Sequence, residues 1–198
     1  MQDTDDVDLM LRVRRGDHDA FRVLIGRYQD RVMNLVYRYL RDRDEAEDLA
    51  QDVFLNIYRA RGSYRPEAKF STWLYRITTN LSLNALRARR VRRRIRSPQE
   101  GNPEDGGLPL GRVADPRPLE ADEELERREL AARVREAVDG LPSHQKTAVL
   151  LNKYEGCSYQ EIAEVMGMSV PAVKSLLSRA RGRIKEKLSP FLERERVP

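Results

Sequence analysis

Apolar residues recur along this chain at steps of three and four. Phe21, Leu24, Ile25, Tyr28, Val32, Leu35, Val36 and Tyr39 trace the buried stripe of one amphipathic helix. Ala46, Leu49, Ala50, Val53, Phe54, Ile57 and Tyr58 trace a second. Gly62 and Pro66 predict a loop, and Leu74, Ile77, Leu81 and Ala85 a third helix. Further on, Leu130, Val134, Ala137 and Val138 predict a helix closed by Gly140 and Pro142. Ala148, Val149 and Leu151 belong to another that should end near Gly156. No stretch alternates with the period of a strand, and there is no internal repeat. The fold class expected is all-α.

The stretch 97–122 interrupts this pattern. It carries Pro98, Pro103, Pro109, Pro116 and Pro118 with Gly101, Gly106, Gly107 and Gly111, and shows no apolar period. It reads as a flexible linker. Two small helical domains are expected, over 1–96 and 123–198, each of a size that folds alone.

The stretch from Tyr159 to Ser178 predicts a helix-turn-helix. Ser158 can cap a helix, and Glu161, three residues on, completes a capping box. Ile162, Ala163 and Met166 are its expected buried face. Gly167 sits at the sharp turn, where positive φ favours glycine. Ser169 can cap the next helix, with Pro171 in the first turn, and Val173 and Leu176 facing the core. That leaves Lys174, Ser175, Ser178, Arg179, Arg181 and Arg183 for base edges and phosphates of a major groove. The plainer alternative is a helical hairpin with a solvated basic face.

Charge refines the picture. The 198 residues carry a formal net charge of +5, with 35% charged and 40% hydrophobic residues, which suits a polyanionic partner. The distribution says more than the sum. Asp42, Asp44, Glu45, Glu47, Asp48 and Asp52 crowd the second helix, running past the first turn where acids merely complement the helix dipole. That flank suits a basic protein partner. Arg87, Arg89, Arg90, Arg92, Arg93, Arg94 and Arg96 form a block without acids, better matched to phosphates than to solvent. Between the two blocks, Trp73 and Tyr75 are placed to stack on unpaired bases, and Asn80 and Asn84 to hydrogen-bond base edges. Trp73 is equally suited to anchoring the core.

Other chemistry is poorly supplied. One cysteine, Cys157, and two histidines, His18 and His144, leave no disulfide and no metal cluster. No phosphate loop, cofactor motif or nucleophile with a histidine partner is present, so an enzyme is not expected. A lone cysteine at a core-like position is a poor redox sensor. Residues 1–8 are acidic without a signal core, and no run spans a bilayer. A soluble, cytoplasmic chain without membrane contact is expected.

Three motifs in order, Asp44-Glu45-Ala46-Glu47-Asp48-Leu49-Ala50-Gln51-Asp52-Val53-Phe54, then the run from Phe70 to Asn80, then Tyr159-Gln160-Glu161-Ile162-Ala163 with Val173-Lys174-Ser175, carry a resemblance. The chain resembles the extracytoplasmic-function sigma factors of bacterial RNA polymerase. The resemblance implies that Asp44, Glu45, Asp48, Gln51 and Asp52 dock on the clamp coiled coil of the largest polymerase subunit. It implies that Arg61, Lys69, Trp73, Arg76, Asn80, Asn84 and Arg87 bind and melt the minus-ten promoter element. The helix holding Lys174, Ser175, Ser178 and Arg179, flanked by Arg181 and Arg183, would read the minus-thirty-five element as duplex. Lysine at 174, where the family often has arginine, lacks the planar fork and alters base preference. An anti-sigma factor is the expected regulator, and the free chain is expected to be a monomer. The linker, about 26 residues, spans at most about 90 Å at 3.3–3.6 Å each, against roughly 70 Å for two turns of DNA. One chain can therefore hold both elements. The linker's net acidity would suit the polymerase RNA-exit path. A repressor acting alone is the other class considered, but it would leave the acidic helix unexplained.

Overall fold

The computed structural model describes residues 2–96 and 121–194. The linker expected over 97–122 falls almost wholly outside the described residues. Eight α-helices, and no strand, occur among the described residues: α1 (Gln2–Arg14), α2 (His18–Leu40), α3 (Arg43–Ala60), α4 (Phe70–Arg96), α5 (Ala121–Asp139), α6 (Ser143–Lys153), α7 (Tyr159–Met166) and α8 (Val170–Arg194). The contacts gather them into two compact units. One holds the described residues of 1–97 together with 150–174; the other holds those of 98–149 together with 175–198.

In the first unit, α2 is capped by Asp17, whose carboxylate accepts the Ala20 N–H at 2.9 Å and the Arg12 guanidinium at 2.8 Å. It ends at Arg41, whose left-handed φ of 57° turns the chain, and Asp42 then caps α3 through the Glu45 N–H. Ala46, Ala50, Val53, Phe54 and Ile57 make the buried face of α3. The second helix of the sequence pattern therefore forms with the expected stripe, except that Leu49 and Tyr58 are only half-buried.

The acidic N-terminus, read in the sequence only as lacking a signal core, belongs to α1. Leu9, Met10 and Val13 are buried, and so is Asp6 at 1% exposure. Burying a carboxylate is costly unless it is paired and hydrogen-bonded. Asp6 meets both conditions: it accepts the Tyr28 hydroxyl in a short hydrogen bond and the Arg27 guanidinium at 2.6 Å. Arg27 also reaches the exposed Asp5. The pair fastens α1 to α2.

Four aromatic rings hold the start of α4. Tyr28 meets Phe70 edge-on at 5.3 Å, Tyr64 meets Phe70 at 6.3 Å, and Trp73 tilts over Tyr64 at 5.2 Å. Tyr64 and Phe70 are fully buried, and burial pushes the Tyr64 hydroxyl up to about 12, with Asp6 adding to it. Offset and edge-on contacts of this kind stabilise beyond the area they bury. They fix the 61–69 loop, including the 3-10 turn at Arg61–Ser63, against the bundle.

In the second unit, Gly140 closes α5 with its N–H on the Glu136 carbonyl at 3.0 Å. Ala137, Val138, Leu141, Ala148 and Val149 are buried there, as are Leu177 and Ala180 of α8. The nearly buried Lys146 is paired with Asp139 at 2.9 Å.

Asp6→Ala takes from Tyr28 its acceptor at this site and is expected to cost about 1–3 kcal/mol. Asp5→Ala, at an exposed ion pair, should cost under about 1 kcal/mol. Urea unfolding of the two variants checks the difference; equal losses would mean that burial of Asp6 is not what fastens α1.

Candidate nucleic-acid interface

Trp73, Arg76, Asn80, Asn84 and Arg87 follow one another along α4 at steps of three, four, four and three. At 100° per residue that keeps them within an arc of roughly 80°. Arg76, Asn80, Asn84 and Arg87 are exposed and Trp73 is half-buried. The stripe offers one aromatic face, two guanidinium groups and two amides, each amide both donor and acceptor. That set can stack on a base, hydrogen-bond its edge and hold a phosphate. Trp73 serves the core and the surface together, since Tyr64 supports one side of its ring. Tyr64 was missed by the sequence reading; its signal is an aromatic lodged between Gly62 and Pro66.

The other residues expected near this stripe lie differently. Lys69 precedes the first turn of α4, with its carbonyl accepting the Thr72 and Trp73 N–H groups. Its ammonium lies 3.2 Å from Glu161. Arg61 lies over the Tyr58 ring at 4.1 Å and donates to the Tyr58 carbonyl at 2.7 Å, which ties it to the end of α3. Tyr75, read as a stacking candidate, is buried, and burial raises its hydroxyl well above the ordinary range. In the arginine block, Arg89 is bound to the Leu40 carbonyl at 3.1 Å and lies 3.7 Å from Glu45. It braces the α2–α3 turn, and so is not free for a phosphate. Arg90 and Arg92 are exposed. The side chains of Arg93, Arg94 and Arg96 lie outside the described residues.

On α3, Asp44, Glu45, Asp48, Gln51 and Asp52 are all exposed and fall within an arc of roughly 120°. Three acids of that block have local duties: Asp42 is the cap, Glu47 pairs with Arg43 at 3.1 Å, and Glu45 lies 3.7 Å from Arg89. The sequence reading passed over Leu55, which stands 51% exposed in the middle of this acidic face, one turn beyond Gln51 and Asp52.

The helix-turn-helix forms as its local signals require. Ser158 and Glu161 exchange both bonds of the capping box, at 3.2 and 2.8 Å. Burial raises the Glu161 pKa, but the Ser158 backbone and side chain and then Lys69 outweigh it, and the net shift is downward. Gly167 takes φ 64° and donates to the Ala163 carbonyl, a left-handed helix end. Ser169 caps α8 through the Ala172 N–H at 3.4 Å. Val173, Leu177 and Ala180 form the buried line of α8. Leu176, expected in the core, is half-buried, and Met166 likewise yields to Val165 in α7. A helix of alternating apolar neighbours leaves such one-residue choices to tertiary packing.

Lys174, Ser178 and Arg181 share one exposed line of α8 at i, i+4 and i+7. Ser175 and Arg179 lie on a line beside it, the guanidinium donating to the Ser175 hydroxyl at 2.9 Å. Arg183 is exposed but roughly 160° around the helix from Arg181. Cys157 is buried, and its thiol is pushed up to about 12, first by burial, which keeps it protonated and unreactive. Among the described residues no group of His, Cys, Asp and Glu could hold a metal, and no helix is long and apolar enough to cross a membrane.

Two family models match this chain: Sigma-70 region 2 over residues 24–92, and Sigma-70, region 4 over residues 131–184. The first takes in α3 and most of α4; the second takes in α6, α7 and α8 as far as residue 184, so the architecture is that of a sigma factor. The chain is 38% identical to the ECF RNA polymerase sigma-E factor of Escherichia coli K12 over 194 residues, 96% of this chain and 97% of that protein. It is 36% identical to the RNA polymerase sigma-H factor of Pseudomonas aeruginosa over 189 residues, 94% and 95% of the two chains. This chain belongs to the ECF family of RNA polymerase sigma factors, which are transcription initiation factors and not enzymes. Its fold is also that of CnrH, solved in complex with the cytosolic domain of CnrY (TM-score 0.67, 23% identity, 94% of this chain and 98% of that one). The sigma factor RpoE of Bartonella quintana, solved with the anti-sigma factor NepR, shares it too (TM-score 0.62, 21% identity, 85% and 96%).

Gly167→Ala is expected to cost about 1–2 kcal/mol through backbone strain alone, because the space around an added Cβ is open. Gly167→Asn should recover part of it. Thermal unfolding of both variants checks this; equal losses would point away from the left-handed conformation.

Proposed function

We propose that this sigma factor holds its promoter at two sites while bound to core polymerase through a third. The observation that carries the reading is the arrangement on α3 and α4. An acidic face with Leu55 at its centre stands on one helix, and an open stripe of Trp73, Arg76, Asn80, Asn84 and Arg87 runs along the next. The acidic face, with Asp44, Glu45, Asp48, Gln51 and Asp52, docks on the basic clamp coiled coil of the largest polymerase subunit. The α4 stripe, with Lys69 and Arg61 near its start, binds the minus-ten element and captures a base from the melted strand. Stacking and amide contacts to unpaired bases supply the energy that duplex opening costs. Polymerase supplies the chemistry.

Lys174, Ser175, Ser178 and Arg179 of α8 read the minus-thirty-five element in the major groove, with Arg181 on phosphate. Arg183, on the far side of the helix, reaches DNA only through the flanking backbone. The linker joins the two functional domains, 1–96 and 123–198, and lets one chain hold both elements at a raised effective concentration. An anti-sigma factor holds the chain inactive in the cytoplasm, as NepR is found bound to its own sigma factor.

Lys174→Ala with Arg179→Ala should lower transcription from promoters that need the minus-thirty-five element by more than about tenfold, with core binding near normal. Asp48→Lys with Asp52→Lys should do the reverse, weakening core binding first. In-vitro transcription beside a core-polymerase binding assay separates the two effects. Loss of core binding in the α8 variant, with its fold intact, would sink this division of labour.

A further inference from the structure

The stripe on α4 has a neighbour. Thr72, Tyr75 and Thr79, at i, i+3 and i+7, form a second line on the same helix, and all three are buried. The segment that opens the helix-turn-helix lies against this helix: α7 packs on α4 within the first compact unit. Two contacts fasten it. Lys69 is paired with Glu161 at 3.2 Å. Arg38 of α2 lies over the Tyr154 ring at 4.1 Å. Half-buried Glu155 lines a cleft with Arg31 and Arg38.

The hydroxyls of Tyr75, Thr79 and Ser82 on α4 are buried with no hydrogen-bond partner of good geometry, and the first two stand on this line. Groups left so in a permanent core are costly; at a contact that opens, water or another partner meets them. A cleft beside the contact, lined by Arg31, Asn34, Arg38, Lys153 and Glu155, leaves it incompletely packed. Lys69, assigned above to the minus-ten element, has its ammonium on Glu161 while the contact is closed. The device therefore rests on the minus-ten reading.

We propose that residues 154–161 form a self-latch on α2 and α4, and that the free chain uses it to withhold the start of α4 from single-stranded promoter DNA until the latch is released. The partner is the chain's own helix-turn-helix segment. The latch is polar and charged, so a competing charged surface or duplex DNA at the helix-turn-helix can displace it. An apolar seal would hold irrespective of such partners.

Carbodiimide cross-linking of the full wild-type chain tests the latch directly. It joins a lysine and a carboxylate already in contact, so a Lys69–Glu161 cross-linked peptide is expected by mass spectrometry. In an equal mixture of isotope-labelled and unlabelled chain, only same-isotope pairs should appear. No such peptide, or mixed pairs in quantity, would overturn the proposal whatever the DNA does. The second arm is binding of a single-stranded minus-ten oligonucleotide by fluorescence anisotropy. Glu161→Gln keeps a residue that completes the capping box and removes the negative charge that faces Lys69. Combined with Tyr154→Ala, it should tighten oligonucleotide binding at least threefold. Unchanged binding would overturn the inhibitory role. Binding by neither chain, with the cross-link present, would sink the minus-ten reading and the inhibition with it.

Discussion

The edge-on contact between Tyr28 and Phe70 sets the position of α4, the helix that carries the stripe proposed for the minus-ten element. Phe70 is the first residue of that helix, fully buried and ringed by Tyr28, Tyr64 and Trp73. Tyr28 in turn donates to the buried Asp6, so the same ring is fixed from the other side by α1. A helix of 27 residues amplifies small errors at its start: the tilt of its first turn decides where Asn84 and Arg87 lie. The aromatic cluster also sets the half-buried pose of Trp73. Tyr64 and Phe70 both support the indole, which leaves it half-buried.

Around the axis of α4 the residues divide by angle. Leu74, Thr78 and Ser82 form one buried line and Thr72, Tyr75 and Thr79 another; Trp73 is half-buried, and Arg76, Asn80, Asn84 and Arg87 remain outside. A helix with three duties cannot carry a broad apolar face, which accounts for its threonines and serine in buried places. Thr78 lies fully buried because its hydroxyl donates to the Leu74 carbonyl one turn back at 2.9 Å. This solves locally what burial would otherwise penalise.

The sequence made local features legible and left tertiary choices open. The capping box of Ser158 and Glu161 and the glycine turn at 167 need only neighbours within four residues, and both form as read. The acidic face of α3 and the open stripe of α4 follow from helical period alone. What sequence could not settle were contacts between distant positions. The burial of Asp6 is one, since its carboxylate becomes burial-tolerant only when Arg27 and Tyr28 reach it. Arg89 reads as one more member of a phosphate-binding run until the Leu40 carbonyl, 49 residues away, claims it. Leu176 and Leu177 are chemically alike neighbours, and only packing decides which one is buried.

Leu55 shows how the two kinds of signal combine. An exposed leucine alone is ordinary on a protein surface. Set among Asp48, Gln51 and Asp52 on the same turns of α3, it gives a charged face an apolar centre. Acidic side chains on a surface steer a basic partner and fix its orientation, but contribute modestly to lasting affinity once screened by salt. Burying a leucine at the centre of the contact adds roughly 1.5–3 kcal/mol that salt does not screen. In the docking proposed above, the acids govern how fast and in what register the basic partner arrives, and Leu55 governs how long it stays. That division suits a factor that must both capture core polymerase and later give it up, since neither term alone is large enough to make the complex permanent.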